Sequence, residues 1–344
     1  MASLQDAPRR LGRSSLSLPV FGLGTAHLGE LYARVDEPEA RDTLHAAWDG
    51  GIRYYDTAPW YGRGLAEHRT GAILRTLERD AFRVSTKVGR TLHRPADPDR
   101  FDRDPWVGGL NFEVRFDYSR DGVLRAYEQS LQRLALDRVD ALVIHDLDEA
   151  YHDAAAIARH RADLEGSGLP ALQELVRSGE IGAVGMGINR RETLDAFAPA
   201  LDVDFFLVAM PYTLLDQSSL EGGMATCRDR GISVIVGAPF ASGILATGSR
   251  GAGCYGYAAA GEAVRARVRA IEAVAQAHGV ALPAAALQFP LAHPAVASVI
   301  PGAARADEVR ENLAALAAPV PGGFWSDLRA QGLIHPDAPV PEGA

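Results

Sequence analysis

The stretches that decide the fold are YYDTAPWYG (residues 54–62), RVSTKVG (83–89) and ALVIHD (141–146). Each contains a short apolar or β-branched run, then a loop, then a segment with helical periodicity. If these runs are neighbouring parallel strands, their C-terminal ends lie on one face. An acid, a phenol, an amine and an imidazole would then converge in one small volume: Asp56, Tyr61, Lys87 and His145.

The same alternation of strand and helix continues along the whole chain. Strand-like runs occur at 20–26, 53–58, 83–88, 141–146, 181–187, 205–211, 233–239 and 296–302. Segments with helical composition lie between them, at 38–48, 66–77, 121–134, 169–178, 192–197, 218–230, 262–278 and 307–316. Eight apolar strands alternating with helices predict an α/β protein, a (β/α)8 TIM barrel. We expect it to form a single domain over residues 10–333.

A doubly wound sheet is the competing architecture, and the glycine spacing argues against it. That fold needs G-x-G-x-x-G directly after its first strand. Here GLGTAHLG (22–29) has a different spacing, and GAVGMG (182–187) comes only at the fifth strand. The segment RRLGRSSLSLPV (9–20) predicts a β-hairpin before the barrel. We expect the long connections 89–118 and 241–261 to lie on the C-terminal face, and the Pro-rich tail, 334–344, to be mobile.

Composition limits the classes of partner and compartment. The 344 residues carry a formal net charge of −9 and no Lys/Arg block, which argues against nucleic acid. Two cysteines, Cys227 and Cys254, cannot form a disulfide framework and suit a reducing cytoplasm. The start of the chain has no apolar signal-like segment, and no apolar run is long enough to predict a membrane span. The sequence leaves a homo-oligomer open.

Lysine beside a phenol is a physical means of lowering the pKa of tyrosine. At about 4 Å and an effective dielectric constant near 20, the pair is worth roughly 4 kcal/mol. That energy equals about three pKa units, enough to bring a phenol from ~10 toward ~7. Taken singly, each of the four residues has an ordinary structural explanation, such as a cap or a surface cation. Together, on consecutive strand ends, they predict an active site.

Several motifs resemble those of the aldo-keto reductase superfamily. They are DTAPWYG (56–62), STKVG (85–89), VIHD (143–146) and IPGAARADEVRENL (300–313). Other segments are similar to the branch of D-threo-aldose 1-dehydrogenases (L-fucose or galactose dehydrogenases) and pyridoxal 4-dehydrogenase. These are TAPWYGRGLAEHRTG (57–71), DYSRDGVLRAYEQSLQRLALDRVD (117–140), PYTLLDQSSL (211–220), SGILATG (242–248) and ALPAAALQFPLAHPAVASVIPGA (281–303).

The resemblance implies a role for each catalytic residue. Tyr61 would be the general acid in carbonyl reduction and the general base in alcohol oxidation. Lys87 would lower the pKa of Tyr61, and Asp56 would hold the ammonium in place. His145 would orient the substrate oxygen and help to relay the proton. Asp146 is expected to face elsewhere, as strand neighbours do.

The resemblance also implies a nicotinamide dinucleotide across the mouth of the barrel, but parts of the usual pocket differ. Ser-Asn and Gln commonly hold the carboxamide, whereas this chain has Gly187-Ile188, then Asn189, and Ala209. Gly237 stands where many members stack an aromatic ring, so either Phe240 covers the nicotinamide or no aromatic side chain does. The full set of expected cofactor contacts is Gly24, Thr25, Asp56, Asn189, Phe240, Ser242, Gly243, Gly302, Arg305, Glu308, Glu311 and Asn312.

The choice between the two dinucleotides depends on the adenosine end. A carboxylate such as Glu308 accepts a hydrogen bond from a ribose hydroxyl and repels a 2′-phosphate. Arg305 could still reach that phosphate. We therefore favour NAD over NADP, with no metal.

Aromatic and polar residues on the long loops are candidates for substrate contacts. They are His27, Trp60, Trp106, Tyr212 and the loop at 254–257. Aromatic faces flanked by polar groups suit a sugar ring, and the same residues could clamp pyridoxal or only pack loops. The leading hypothesis is an NAD(P)-dependent aldose 1-dehydrogenase that forms a lactone. The alternatives are a pyridoxal 4-dehydrogenase, a broad aldehyde or ketone reductase, and a cofactor-sensing binding module with vestigial turnover.

Overall fold

The computed structural model describes residues 7–251 and 253–342. At its centre is a sheet of eight parallel strands, each paired with its neighbours in chain order. Bridges of Phe21 with Val299 and of Gly24 with Gly302 join the first strand to the last, so the sheet closes into the TIM barrel that the sequence predicts. The strands are β1 (Leu23–Gly24), β2 (Tyr54–Asp56), β3 (Arg83–Val88), β4 (Ala141–His145), β5 (Ala183–Ile188), β6 (Phe205–Val208), β7 (Ser233–Gly237) and β8 (Val296–Ile300).

Helices follow the strands and surround the barrel. They are α1 (Glu37–Asp49), α2 (Leu65–Leu74), α3 (Arg120–Leu134), α4 (Ala154–Asp163), α5 (Leu169–Ser178), α6 (Arg191–Phe197), α7 (Ala225–Arg230), α8 (Ile244–Thr247), α9 (Glu262–Ala277), α10 (Leu282–Leu291), α11 (Ala306–Ala317) and α12 (Gly322–Ala330). The helical patterns of the sequence did not single out α4, α8, α10 or α12. In α10 the reason is physical: the helix is buried on nearly all sides, so it has no amphipathic stripe, and Pro290 inside it argues against a helix.

Local sequence fixes where several helices begin. Asp36 accepts a hydrogen bond from the Glu39 amide at 2.8 Å, and Pro38 occupies the first turn of α1. Ser119 caps α3 in the same way, through the amide of Gly122. These caps satisfy amides that would otherwise lack partners within the helix.

The interior of the barrel is closed at its N-terminal end. The predicted hairpin forms, with Arg9–Arg10 paired antiparallel to Ser17–Leu18. Leu11 and Leu18 on this hairpin pack with Tyr54, Phe205 and other inward-facing strand residues in one buried cluster. Access to the interior is therefore from the C-terminal face.

The two long connections lie at that C-terminal face and are partly ordered as hairpins. In the first, Arg90–His93 pairs with Glu113–Phe116. In the second, Cys254–Tyr255 pairs with Ala258–Ala259. Both hairpins contribute side chains to the site described below.

The C-terminal tail differs from the mobility that its proline content predicts. Ile334 and Ala338 are buried, and the Ala338 carbonyl accepts a hydrogen bond from Arg329 at 2.9 Å. The His335 amide donates to Gln217 at 3.1 Å. Apolar side chains between the prolines explain this packing, since they cover the outer layer of helices. The boundary at residue 333 stays a prediction, and residues 1–6, 343 and 344 lie outside the described residues.

Within the described residues, no single helix has the length and apolar composition to cross a membrane. Helices α9 and α10 together have that length and composition, but they are bent by 99° relative to each other.

Candidate active site

The four residues singled out in the sequence meet at the C-terminal end of the barrel. Asp56 ends β2, Lys87 lies on β3, His145 ends β4, and Tyr61 begins a short 3-10 turn after β2. Lys87 Nζ lies 4.6 Å from the centroid of the Tyr61 ring. The His145 imidazole meets the same ring edge-on, with centroids 6.0 Å apart. The amine thus points toward the phenol ring and not into solvent.

A buried ion pair lies beneath this group. Lys87 Nζ is 2.6 Å from Asp56 Oδ2 and donates to the Thr57 carbonyl at 2.9 Å. Ser85 donates to the other carboxylate oxygen at 2.7 Å. Asp56 and Lys87 are each 1 % exposed. The carboxylate lies below the cavity with its oxygens already bonded, so its position does not favour the cofactor contact expected of Asp56.

The electrostatics of Tyr61 differ from the sequence prediction. Burial raises the pKa of the Tyr61 phenol well above 10, and the nearby carboxylates of Asp56 and Asp146 raise it further. The Arg90 guanidinium acts in the opposite direction and lowers the pKa of Tyr61, but it does not offset these effects. The physical reason is that Asp56 offsets the charge of Lys87 at 2.6 Å, while the phenol has lost its water. In this state Tyr61 is a proton donor.

His145 is neutral for a related reason. Burial lowers the pKa of its imidazole well below 6.5, and the cations Arg90 and Lys87 lower it further. Its Nε2 lies 3.2 Å from Asp146 Oδ2. A neutral imidazole can donate one hydrogen bond and accept another, which suits a residue that orients a substrate oxygen.

Asp146 turns into the site, contrary to the expectation that it faces elsewhere. Strand β4 ends at His145, and Asp146 has a φ of +46°, so the strand alternation no longer applies to it. Its carboxylate accepts hydrogen bonds from Arg90 at 2.7 Å and from Asn189 at 2.9 Å. Burial raises the pKa of Asp146 to about 6 despite these partners.

Arg90 is a buried cation in an aromatic environment. Its guanidinium carbon lies 4.3 Å from the ring centroid of Tyr151, 4.7 Å from that of Trp60 and 4.9 Å from that of Phe116. Its charge is paired with Asp146. Stacking on aromatic faces and pairing with a carboxylate are the two interactions that suit a guanidinium best.

A cavity of about 200 Å³ opens directly above the four residues. Tyr61, Lys87, His145, Asp146 and Asn189 give it polar groups. Its aromatic residues are Tyr32, Trp60, Trp106, Tyr151 and Tyr257. Trp60 and Trp106 contact each other edge-on with centroids 5.6 Å apart. A cavity of this size, apolar with a few convergent polar groups, suits a ligand with a single ring.

The segments expected to hold a dinucleotide lie around the same face. Gly24 and Gly302 are bridged, and Thr25 donates to the Asp56 carbonyl at 3.0 Å. Asn189 lines the cavity. Gly243 has a φ of +108° and open space around its Cα, and Ser242 before it also has positive φ, at +63°. This left-handed backbone follows β7 where the pyrophosphate is expected.

At the adenosine end, Glu308 accepts a hydrogen bond from the Ala304 amide at 2.7 Å and forms an ion pair with Arg305 at 2.7 Å. Asn312 lies 3.5 Å from the Gly302 carbonyl, and Glu311 is exposed. A groove lies between α1 and the start of α11. Apart from Arg305, the charged residues that line it are acidic: Asp36, Glu39, Asp42 and Asp307.

Three expected contacts are placed elsewhere. Tyr212 is fully buried and packs on Phe289 and His293, with centroids 5.7 and 5.2 Å away, so we withdraw it as a substrate contact. Phe240 is 8 % exposed, belongs to the hydrophobic core and does not line the cavity, which does not favour the contact with a nicotinamide. His27 lies against Gly302, where an added Cβ would be 2.2 Å from its Nδ1, which places it with the cofactor segment.

Sequence reasoning missed Arg90, Asp146, Tyr151, Tyr32 and the specific contribution of Tyr257. The phenol of Tyr257 lies 3.3 Å from Asn189 Oδ1, at the tip of the second hairpin. A signal was available for Asp146, because it directly follows His145. For Arg90 and Tyr151 we find none, since an arginine or tyrosine near a loop is common.

Comparisons with known proteins agree with this geometry. The model of the aldo/keto reductase family matches residues 20–330. The chain is 38% identical over 334 residues to a pyridoxal 4-dehydrogenase of Microbacterium luteolum, covering 95% of this chain and 97% of the relative. It is 36% identical over 341 residues to a D-threo-aldose 1-dehydrogenase of a Pseudomonas species, covering 97% and 99%. A solved aldo-keto reductase of Bacillus halodurans, in its holo form, superposes with a TM-score of 0.71 at 25% identity, covering 99% of each chain.

Proposed function

Because this chain belongs to the aldo-keto reductase family, we propose that it is an NAD(P)-dependent dehydrogenase that oxidises the hemiacetal carbon of an aldose to a lactone. The observation that supports this best is the meeting of Tyr61, the Lys87–Asp56 pair and His145 beside one cavity. A proton donor, a buried charge pair and a neutral imidazole are the groups that proton transfer to or from a carbinol requires.

Each of these residues has a distinct role in the transfer of one proton. In the reducing direction, the neutral Tyr61 phenol donates to the carbonyl oxygen, which fits its raised pKa. In the oxidising direction, Tyr61 must first ionise and then take the hydroxyl proton, with Lys87 stabilising the phenolate. His145 contacts the same oxygen and keeps it in place. The nicotinamide, when bound, accepts or supplies the hydride.

The chain fits a dinucleotide at several points. The Nδ1 of His27 is buried without a hydrogen-bond partner among the described residues, beside the Gly302 backbone. The space around Gly243 is open. We propose that Gly24, Thr25 and Asn189 hold the nicotinamide end, that Ser242 and Gly243 hold the pyrophosphate, and that Gly302, Glu308 and Asn312 hold the adenosine.

We propose NAD as the preferred dinucleotide. The groove beside Arg305 is surrounded by Asp36, Glu39, Asp42 and Asp307, and Glu308 already pairs with Arg305 at 2.7 Å. Carboxylates accept hydrogen bonds from a ribose hydroxyl but repel a 2′-phosphate. The charge at this end therefore favours a ribose with a free 2′-hydroxyl.

The cavity supports a ring-shaped, hydroxylated substrate. Trp60 and Trp106 offer apolar faces for the C–H side of a sugar ring, while Tyr61 and His145 offer hydrogen-bonding groups. The similarity to a D-threo-aldose 1-dehydrogenase adds weight to an aldose.

Pyridoxal is the second candidate, and a specific observation favours it. The relative with 38% identity is a pyridoxal 4-dehydrogenase. Pyridoxal also closes into a cyclic hemiacetal, because its hydroxymethyl group adds to the neighbouring aldehyde. Both substrates would therefore offer Tyr61 the same carbinol, and only the rest of the ring would differ.

A substrate panel with both dinucleotides tests the proposal. L-fucose, D-arabinose, L-galactose and pyridoxal would be assayed with NAD⁺ and NADP⁺, and aromatic aldehydes with the reduced forms, by the absorbance of reduced nicotinamide. We expect an aldose and NAD⁺ to give the highest kcat/KM, and Tyr61→Phe to lower kcat by about 10²- to 10⁴-fold. Preference for pyridoxal would select the second candidate. Tight binding of dinucleotide with no turnover of any compound would point to a cofactor-sensing module instead.

The cytoplasmic location of the protein and its assembly into a homo-oligomer stay predictions.

A further inference from the structure

The backbone after β4 is built to aim a carboxylate at His145. Asp146 has a φ of +46°, a conformation that Asp adopts more readily than most residues. The Tyr118 hydroxyl lies 2.7 Å from the His145 carbonyl and 3.3 Å from the Asp146 carbonyl. Tyr118 is fully buried, so it holds this turn from behind. The turn directs the Asp146 side chain back toward the cavity.

Once in the cavity wall, the carboxylate is fixed from three sides. Arg90 Nη2 lies 2.7 Å from Oδ2, and Asn189 donates to Oδ1 at 2.9 Å. His145 Nε2 lies 3.2 Å from Oδ2. Arg90 is itself held between Trp60 and Tyr151 and is 1 % exposed. A side chain with this many partners has one orientation.

One proton must lie between His145 and Asp146. The imidazole is neutral, so only one of its nitrogens carries hydrogen. Two lone pairs facing each other at 3.2 Å would repel. When the carboxyl group is ionised, the proton is therefore on Nε2. The Nδ1 atom is buried and has no hydrogen-bond partner among the residues that the structure describes.

We propose that Asp146 is a positioning residue of this active site, whose carboxylate keeps the single proton of His145 on Nε2. The inference deepens the proposed function and rests on it, because both residues line the cavity in which the substrate oxygen would lie. Without the carboxylate, the proton is free to move to Nδ1. With the proton on Nε2, that N–H can be shared between the Asp146 carboxylate and a substrate oxygen in the cavity, whereas an Nε2 lone pair would repel the substrate oxygen.

The proposal predicts a pH dependence. When Asp146 is protonated it donates to Nε2, and the imidazole hydrogen moves to Nδ1. The productive form is therefore the one above the pKa of Asp146, which burial raises to about 6. The hydride-transfer rate should rise with pH through that value. The charged and titratable groups that face this pair are Lys87, Arg90, Asp148, Tyr61, Tyr118, Tyr151 and Tyr257.

The direct test is the tautomer of His145 in the full-length protein, read from ¹⁵N chemical shifts of protein labelled at histidine. His145→Gln identifies the signals. We expect an Nε2–H imidazole at pH 8, and a mixture of both tautomers in Asp146→Asn. Asp148→Asn is the matched control, since it removes a buried carboxylate two residues away and keeps an acceptor for the Ala150 amide. It should leave the tautomer unchanged.

The tautomer decides the inference even if no substrate is turned over, so its failure is distinct from failure of the proposed function. Two results would overturn the inference. One is an Nδ1–H tautomer in the native protein, and the other is an Nε2–H tautomer that stays unchanged in Asp146→Asn. With a substrate in hand, Asp146→Asn should lower kcat by about 10- to 100-fold with little change in KM, and abolish the acidic limb near pH 6.

A second variant guards against a folding defect, because Asp146→Asn leaves Arg90 without its carboxylate. Arg90→Met combined with Asp146→Asn removes both charges and keeps at position 146 a residue that adopts positive φ readily. If the double variant melts as the native protein does, it should still lose the Nε2–H preference. Retention of that preference without any carboxylate at position 146 would contradict the proposal.

Discussion

At the scale of single residues, we expect substitutions in the buried pair of Lys87 and Asp56 to destabilise the protein strongly. Lys87→Met leaves a carboxylate with 1 % exposure and no ammonium at 2.6 Å. We expect it to lower the free energy of unfolding by about 3–5 kcal/mol. Urea denaturation measures this change.

The matched control is the double variant Asp56→Asn with Lys87→Met, which removes both charges. It should be clearly more stable than Lys87→Met alone, because no unpaired charge remains buried. If the two substitutions are additive, the pair is not coupled and our description of it is wrong.

Glu308 is the residue at which dinucleotide preference should respond. Glu308→Gln keeps an acceptor for the Ala304 amide but removes the charge that pairs with Arg305. We expect the ratio of kcat/KM for NADP⁺ to that for NAD⁺ to rise by about two- to fivefold. Glu128→Gln, an exposed position on α3 away from the cofactor segments, should change the ratio little. An equal response at both positions would indicate a general charge effect.

At the scale of secondary structure elements, the contact of α2 with α3 depends on Gly71. A Cβ there would lie 2.3 Å from the Leu134 carbonyl oxygen and 2.5 Å from its Cα, and backbone cannot rotate away. We expect Gly71→Ala to lower the free energy of unfolding by roughly 1–3 kcal/mol. Gly166→Ala, with no atom within 4 Å of the added group, should be neutral or stabilising by up to about 1 kcal/mol. Equal melting temperatures for the two variants would refute this account.

The hairpin at 254–259 shows how an element can bring a residue to the site that its sequence position does not suggest. Gly256 and Tyr257 both have positive φ, at +60° and +64°, as a two-residue type I′ turn requires. The tip of this turn places the Tyr257 phenol 3.3 Å from Asn189. The hairpin thus closes one side of the cavity.

At the scale of the whole molecule, histidines held neutral by burial should make the fold sensitive to acid. His293 is 3 % exposed, and burial lowers its pKa from 6.5 to about 4, with Arg228 adding to the effect. Below pH 6.5, His293 therefore binds a proton in the unfolded chain, whereas in the folded protein it stays neutral until the pH approaches 4. The stability linked to His293 is complete above pH 6.5 and is lost as the pH falls toward 4.

His293→Asn tests this sign, because an asparagine oxygen can still accept the Ala295 amide that His293 accepts at 3.2 Å. We expect the stability difference between the native protein and the variant to shift by roughly 2 to 2.5 kcal/mol in favour of the variant between pH 7 and pH 4.5. Other groups, including Asp146 with its raised pKa, cancel in this difference. A difference that is constant with pH would show that His293 titrates normally.

The sequence by itself determined the strand–helix alternation, the hairpin that closes the barrel, and the meeting of Asp56, Tyr61, Lys87 and His145. These follow from periodicity and from strand order, since the C-terminal ends of parallel strands share one face. Trp60 and Trp106 also line the cavity as predicted from the loops.

Only the tertiary structure decided the direction of side chains beyond the strand ends. There the backbone dihedrals are set by packing and not by a repeating pattern, so Asp146 turned inward while Tyr212 and Phe240 turned to the core. The electrostatic state of Tyr61 was decided in the same way. Its pKa depends on how much water the fold removes from the phenol and on how closely the charge of Asp56 offsets that of Lys87. Neither quantity can be read from the order of the residues.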